Sequence, residues 1–474
     1  MNKQGKDMIK AVKLWEKNHS FHGKYAARFH LMPKSGWLND PNGLGKLGDR
    51  VHIYFQYAPF GVEPGLNFWG HYSTKNFVEY QYHTPALCCD TPDDCHGVYS
   101  GSSYIEDGKS YLYYTGNVLH SGAYDYIFSG REHNTILVET DGETVGEKQV
   151  LLRNSDYPED VSCHVRDPKV FYAEGRYYMV LGARRRDDVG EVLLYQSENK
   201  KDWALCQRIT TTKRLGYMWE CPDLFSLGGR WVLMFSPQGV EPDGYRFQNM
   251  YQTGYAFLEG DLDGKLQIGS FEEIDRGFDF YAPQSFLDTD GRRIQIGWMA
   301  VPDSVYQNAE VQDGWHHILT LPCVLKRQGD KIYRYPIEEI EKLRGLRRKV
   351  HLDGRTAVEN LEVFDCEIRV REEKAFTITI KQDAMITYQQ GVFSLSFGKS
   401  GLGRERRSAA IEKVESLRIL CDTSSLEIFI NGGEESFSSR FYPEEICGAL
   451  ISEGLTGMAE IWPMKSFVIS EDER

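Results

Sequence analysis

The chain has no apolar run long enough to span a bilayer, and its first twenty residues, MNKQGKDMIKAVKLWEKNHS, are charged throughout with no apolar stretch. The expected location is therefore the cytoplasm, without membrane contact. Positive charge is in deficit: 55 Lys and Arg stand against 69 Asp and Glu, a net charge of −14. Such a field argues against nucleic acid and anionic lipid as partners, and any phosphate on a substrate would need a local basic pocket. The ten cysteines lack the paired Cys/His spacing of a metal site, and a reducing compartment disfavours disulfides. No metal or other cofactor is expected. Oligomeric state is not legible.

What is abundant is β texture. After a segment of helical spacing over residues 5–19, with Met8, Ile9, Val12 and Trp15 on one face and Leu14 off it, short runs recur. VHIYFQYAP, KSYLYYTG, KVFYAEGRYYMVLGA, EVLLYQS, RWVLMFSP and RIQIGWMA are rich in aromatic and β-branched residues. GDR, EDGK, AEGR, LGGR and DTDGR punctuate them as turns. Over roughly 300 residues this predicts a β-propeller rather than one barrel, since a four-stranded blade takes about 40 to 50 residues. No crisp internal repeat is visible. The charged segment PIEEIEKLRGLRRK then reads as a linker with a helical turn, and the strand runs beyond it have the size of a β-sandwich. The expected division is a helical lead-in over 1–25, a propeller over 26–335, a linker over 336–350 and a sandwich over 351–474.

Three acidic segments stand out: WLNDPNG with Asp40, HVRDPKV with Asp167 and MWECPDLF with Glu220. Alone, each has a plain structural reading: a turn, a strand-end ion pair, a solvated acid before proline. Together they match what glycoside cleavage needs, a proton donor and a nucleophile or base, with a third acid to orient the ring.

At this point the chain resembles glycoside hydrolase family 32, the invertase-type β-fructofuranosidases. The resemblance runs through RFHLMPKSGWLNDPNG, IYFQYAP, WGHYS, YSGSS, YTGN, VRDPKV, WECPDLF, DFYAPQ, GWMA and LTLP, and through CDTSSLEIFINGGEESFSSRFYP in the smaller unit. It implies an all-β fold, a five-bladed propeller followed by a β-sandwich. It also implies a retaining hydrolase that frees the terminal β-D-fructofuranosyl unit of sucrose or sucrose 6-phosphate. Asp40 would be the nucleophile, Glu220 the acid/base and Asp167 the residue that holds ring hydroxyls. Asn39, Gln56, Trp69, Tyr99, Ser100 and Arg166 would contact the sugar, with Tyr99 where the family usually has Phe. Trp37 would shape the pocket floor, and Trp298 is expected in the core. The apolar neighbours of Glu220 should favour its protonated form, and Arg166 should keep Asp167 ionised. The run from Lys75 to Tyr80, and Val301 and Pro302 after Trp298, depart from the family pattern, so the leaving-group side is open. Lys75, Arg131 and Arg184 to Arg186 are the available cations there. An exo-acting levan or inulin hydrolase and a non-catalytic fructan-binding module are the competing readings; the presence of all three acids disfavours the second.

Overall fold

A computed structural model of the chain describes residues 1–19, 23–142, 144–372 and 375–471. The glycine-bearing punctuation becomes hairpin turns. In EDGK, AEGR and LGGR two successive residues take positive φ: Asp107 (51°) and Gly108 (71°), Glu174 (51°) and Gly175 (85°), Gly228 (56°) and Gly229 (79°). That turn matches the right-handed twist of the strands it joins.

Each of these turns joins the innermost strand of an antiparallel sheet to its neighbour. Among the described residues, the innermost strands of five consecutive sheets are Gly36–Leu47, Val98–Glu106, Val161–Ala173, Met218–Leu227 and Tyr281–Leu287. Each packs on the next, and the last packs on the first, closing a ring. This is a β-propeller, an arrangement that leaves few exposed sheet edges. The first sheet also takes in Trp315–His316, parallel to its innermost strand, so chain that follows the fifth sheet's inner hairpin ties that sheet back to the first.

The N-terminal helix, Lys3–Asn18, starts where the Asn2 side chain accepts the Gly5 N–H. Val12 is fully buried and Leu14 is exposed, as the spacing predicts. Glu16 faces the first sheet and accepts hydrogen bonds from the hydroxyls of Tyr57 (2.7 Å) and Tyr82 (2.5 Å). Across the linker, Glu338–Leu343 forms a 3-10 turn that buries Ile340 and Leu343.

Beyond it two six-stranded antiparallel sheets enclose a second core, with Phe364, Ile378, Ile386, Leu395, Ile419 and Ile428 among its members. The last described strand, Val468–Glu471, leaves this sandwich and pairs parallel with Glu79–Leu87 of the first propeller sheet. The two cores are joined by buried charge. His30 Nδ1 lies 2.8 Å from Asp422 Oδ2, and Asp422 also accepts the backbone N–H groups of Arg28, Phe29 and Thr423. Among the described residues, no helix is long and apolar enough to cross a membrane.

Candidate active site

The five innermost strands share an irregularity at one level. The register slips between Leu38 and Pro41, between Tyr99 and Gly101, between Arg166 and Lys169, between Glu220 and Asp223, and between Tyr281 and Gln284. Each slip is a β-bulge, a device that re-aims side chains. In four of the five a proline follows the bulged residue: Asp40-Pro41, Asp167-Pro168, Cys221-Pro222 and Ala282-Pro283; the second strand has Ser100-Gly101. Asp167, Cys221 and Ala282 take positive φ, at 63°, 49° and 46°. The sites named from the sequence are therefore seats of one structural repeat. It was invisible in the sequence because the repeated feature is a backbone shape and not a residue type.

Two residues past the bulge, polar side chains staple the sheets together. Asn42 Oδ1 accepts the Gly101 N–H (3.1 Å), Ser102 Oγ accepts that of Val170 (3.3 Å), and Asp223 Oδ2 accepts that of Ser285 (2.8 Å). The bulges are held at one height by these crosslinks.

The ring brings the three acids together. Asp40 accepts hydrogen bonds from Ser100 Oγ (2.6 Å) and Asn39 Nδ2 (3.1 Å). Asp167 Oδ2 accepts the Cys221 N–H (2.9 Å). The Cys221 thiol, kept protonated because burial pushes it well above its usual range, lies 3.6 Å from Asp40 Oδ2 and 3.7 Å from Asp167 Oδ2. Glu220 accepts from Tyr281 OH (2.6 Å), Gln238 Nε2 (2.7 Å) and Arg166 Nη2 (2.5 Å). Tyr281 and Gln238 went unassigned in the sequence, although Tyr281 occupies the seat of the fifth sheet that Glu220 occupies in the fourth.

One electrostatic expectation needs correction. Arg166 is directed at Glu220, and its Nε is 4.0 Å from Asp167 Oδ2. Burial therefore outweighs the guanidinium at Asp167; with Glu220 and Asp40 adding repulsion, its carboxyl rises to about 7. Sequence adjacency misled because the bulged third strand directs the Arg166 guanidinium across to Glu220 of the fourth sheet. Burial also pushes Asp40 upward, opposed by its bond from Ser100.

Among the remaining expected contacts, Trp69 needs correction: its side chain is fully buried and supports Tyr99 instead of reaching a sugar. Tyr99 is partly exposed, and Trp37 directs its indole N–H to Asn39 Oδ1 (2.9 Å). Trp69 is fully buried and donates to the Tyr99 carbonyl (3.1 Å). Gln56 is buried opposite the first bulge, donates to the Val98 carbonyl (3.0 Å), and has a free Oε1. Trp298 is buried, 3% exposed, with its ring 6.0 Å from that of Trp37.

The close fit of the sheets makes a test. A Cβ on Gly182 would lie 2.0 Å from the Trp219 carbonyl oxygen, beside Glu220. Gly182→Ala is expected to shift Glu220 and lower kcat about 100-fold, the usual consequence of misplacing a reacting group by an ångström. Steady-state kinetics with an unchanged kcat would show that this contact does not set the position of Glu220.

Three carboxylates clustered on the innermost strands of a propeller, with amide, hydroxyl and indole groups around them, are the groups that glycoside cleavage calls for. The comparisons agree. The Glycosyl hydrolases family 32 N-terminal domain matches residues 30–336, and the Glycosyl hydrolases family 32 C terminal matches residues 340–459. The chain belongs to glycosyl hydrolases family 32. It is 39% identical to a sucrose-6-phosphate hydrolase of Bacillus subtilis, over 88% of each chain. It is 35% identical to a raffinose invertase of Escherichia coli, over 88% of this chain and 89% of that one. The solved sucrose-6-phosphate hydrolase of Lactobacillus gasseri superposes with a TM-score of 0.87 at 25% identity, covering 98% of this chain and 97% of that one.

Proposed function

We propose that the chain is a retaining β-fructofuranosidase, releasing the terminal β-D-fructofuranosyl unit of sucrose or sucrose 6-phosphate. The observation that carries this reading is the placement of Asp40, Asp167 and Glu220 on one ring of bulges, within reach of a single sugar. Asp40, fixed by Ser100 and Asn39, attacks the anomeric carbon. Glu220, oriented by Tyr281, Gln238 and Arg166, passes a proton to the departing glycosidic oxygen. It then takes a proton from the water that cleaves the fructosyl–Asp40 ester. Asp167 holds ring hydroxyls. Asn39, Gln56, Tyr99, Ser100 and Arg166 contact the sugar, and Trp69 positions Tyr99.

The propeller over 26–335 is proposed as the catalytic unit, with 336–350 as linker and 351–467 as the sandwich that buttresses it; the expected end at 474 runs too far, since Val468–Glu471 pairs with the first propeller sheet. The names of the relatives support a sucrose-type substrate. All ten cysteines are free thiols, which supports a reducing, cytoplasmic setting.

Stereochemistry tests the mechanism. Direct attack requires carboxyl groups about 5 to 5.5 Å apart, with no room for an intervening water. The first-formed fructose, followed by NMR before mutarotation, is expected to be the β-furanose. An initial α-anomer would remove the nucleophile role from Asp40.

A further inference from the structure

We propose that Arg131, with His133 beside it, is the site that recognises a phosphate on the leaving glucosyl group. The proposal rests on the fructosidase reading above and names the substrate that site prefers.

The position follows from the register. In the second sheet Thr115 lies opposite Tyr99, at the level of the bulges, and its Oγ1 accepts the Asp167 N–H (2.9 Å). Leu119, four residues farther along the same strand, pairs with Arg131, the first residue of Arg131–Thr140. At about 3.3 Å per residue, Arg131 stands roughly 13 Å toward the mouth of the cavity from Thr115. That is a depth at which a leaving hexose would carry its 6-substituent. Arg131 and His133 share one face of their strand; His164 and Arg166 share one face of theirs. The His133 and His164 rings meet edge to face at 5.5 Å, His164 Nδ1 is 2.5 Å from Arg166 Nη1, and Arg166 reaches Glu220. His164 Nε2 is held by the Tyr126 carbonyl (3.1 Å), and burial keeps both imidazoles neutral, so two neutral rings lie between the Arg166 guanidinium and that of Arg131, beside Tyr99, whose ring is 5.7 Å from that of His133.

At Arg131 there is no anion. Among the described residues Arg131 pairs with no carboxylate, its Nε is buried without a partner, and its charged surroundings include Arg166. His133 is fully buried, and neither ring nitrogen has a partner. The adjacent Glu132 is engaged elsewhere, 2.9 Å from His120 Nε2. Buried polar groups without partners are costly, and a phosphate here would supply a partner to the Arg131 guanidinium. The other cations are already occupied. Arg184 pairs with Asp188 (2.6 Å), Arg185 with Asp187 (2.6 Å) and Lys75 with Asp49 (2.5 Å), while exposed Arg186 donates to the Glu159 carbonyl (3.1 Å). On a chain of net charge −14 this pocket is a local exception. The anion that a sucrose-type sugar can bring is a phosphate ester, which a guanidinium grips with paired hydrogen bonds.

The test compares sucrose 6-phosphate with sucrose in the wild type, Arg131→Gln and Arg131→Lys. It also compares glucose 6-phosphate with glucose as competitive inhibitors. In Arg131→Gln, kcat/KM for sucrose 6-phosphate is expected to fall about 30-fold, mostly through KM, as befits loss of a charge-assisted hydrogen-bond pair. The value for sucrose should stay within about twofold, and Arg131→Lys should fall between. Wild type should be inhibited more strongly by glucose 6-phosphate than by glucose, a comparison that needs no variant to fold. Equal losses on both sugars, no loss on either, or equal inhibition by the two glucoses would overturn the proposal. A wild type that cleaves both sugars equally well would also overturn it while leaving the fructosidase reading intact. Absence of free fructose from every sugar would defeat that reading itself.

Discussion

Asp40→Ala and Glu220→Ala are each expected to lower kcat by several orders of magnitude while the variants keep the wild-type fold. Asp40→Ala removes the group that forms the covalent intermediate, and Ser100 and Asn39 are left holding nothing. Glu220→Ala removes the proton donor of the first step and the base of the second, each typically worth a factor of about 100 or more. Both side chains are partly exposed at the cavity, so truncation opens no sealed core void. Circular dichroism should overlay the wild-type spectrum. A purified Asp40→Ala or Glu220→Ala retaining roughly a tenth of wild-type kcat would show that its role was misassigned, since general acid–base catalysis alone exceeds that factor.

The second large effect concerns stability. Asp422→Ala should cost about 3 to 5 kcal/mol, the usual penalty for removing one partner of a buried ion pair. It strands His30 and frees three backbone N–H groups that Asp422 now satisfies. Burial alone would push the His30 imidazole down. Hydrogen bonds that the ring donates to Asp422 and Glu427 outweigh it and raise the imidazolium to about 9. A raised folded-state pKa gives stability that is complete below the unfolded value, near 6.5, and is lost as pH rises through about 9. Urea denaturation should therefore show wild-type stability declining between pH 6.5 and 9, with the decline reduced in Asp422→Ala. A wild-type midpoint constant over that interval would mean that His30 carries no proton there.

The legible parts of this protein were those written in single residues and short periods. The helix was marked by Met8, Ile9, Val12 and Trp15, and the hairpins by turn pairs such as Asp107-Gly108 and Glu174-Gly175. Asp40, Asp167 and Glu220 stood out because acids within two residues of a proline in β texture are conspicuous. What stayed hidden depended on geometry between strands. The partners of Glu220 come from residues 166, 238 and 281, three separate strands. Arg166 sits beside Asp167 in sequence yet serves Glu220 in space. Arg131 was one cation among several until the structure paired the others. The final strand, Val468–Glu471, crosses back to the propeller on backbone hydrogen bonds, for which no side-chain pattern announces a partner.

The ring of bulges also separates scaffold from chemistry. Asp40, Ser100, Asp167, Cys221 and Ala282 fill equivalent seats, and a carboxylate, a hydroxyl, a thiol and a methyl occur among them. The kinked inner strand is common to all five sheets, and proline stands at four of the five kinks. One backbone shape thus presents four different side-chain chemistries to one centre.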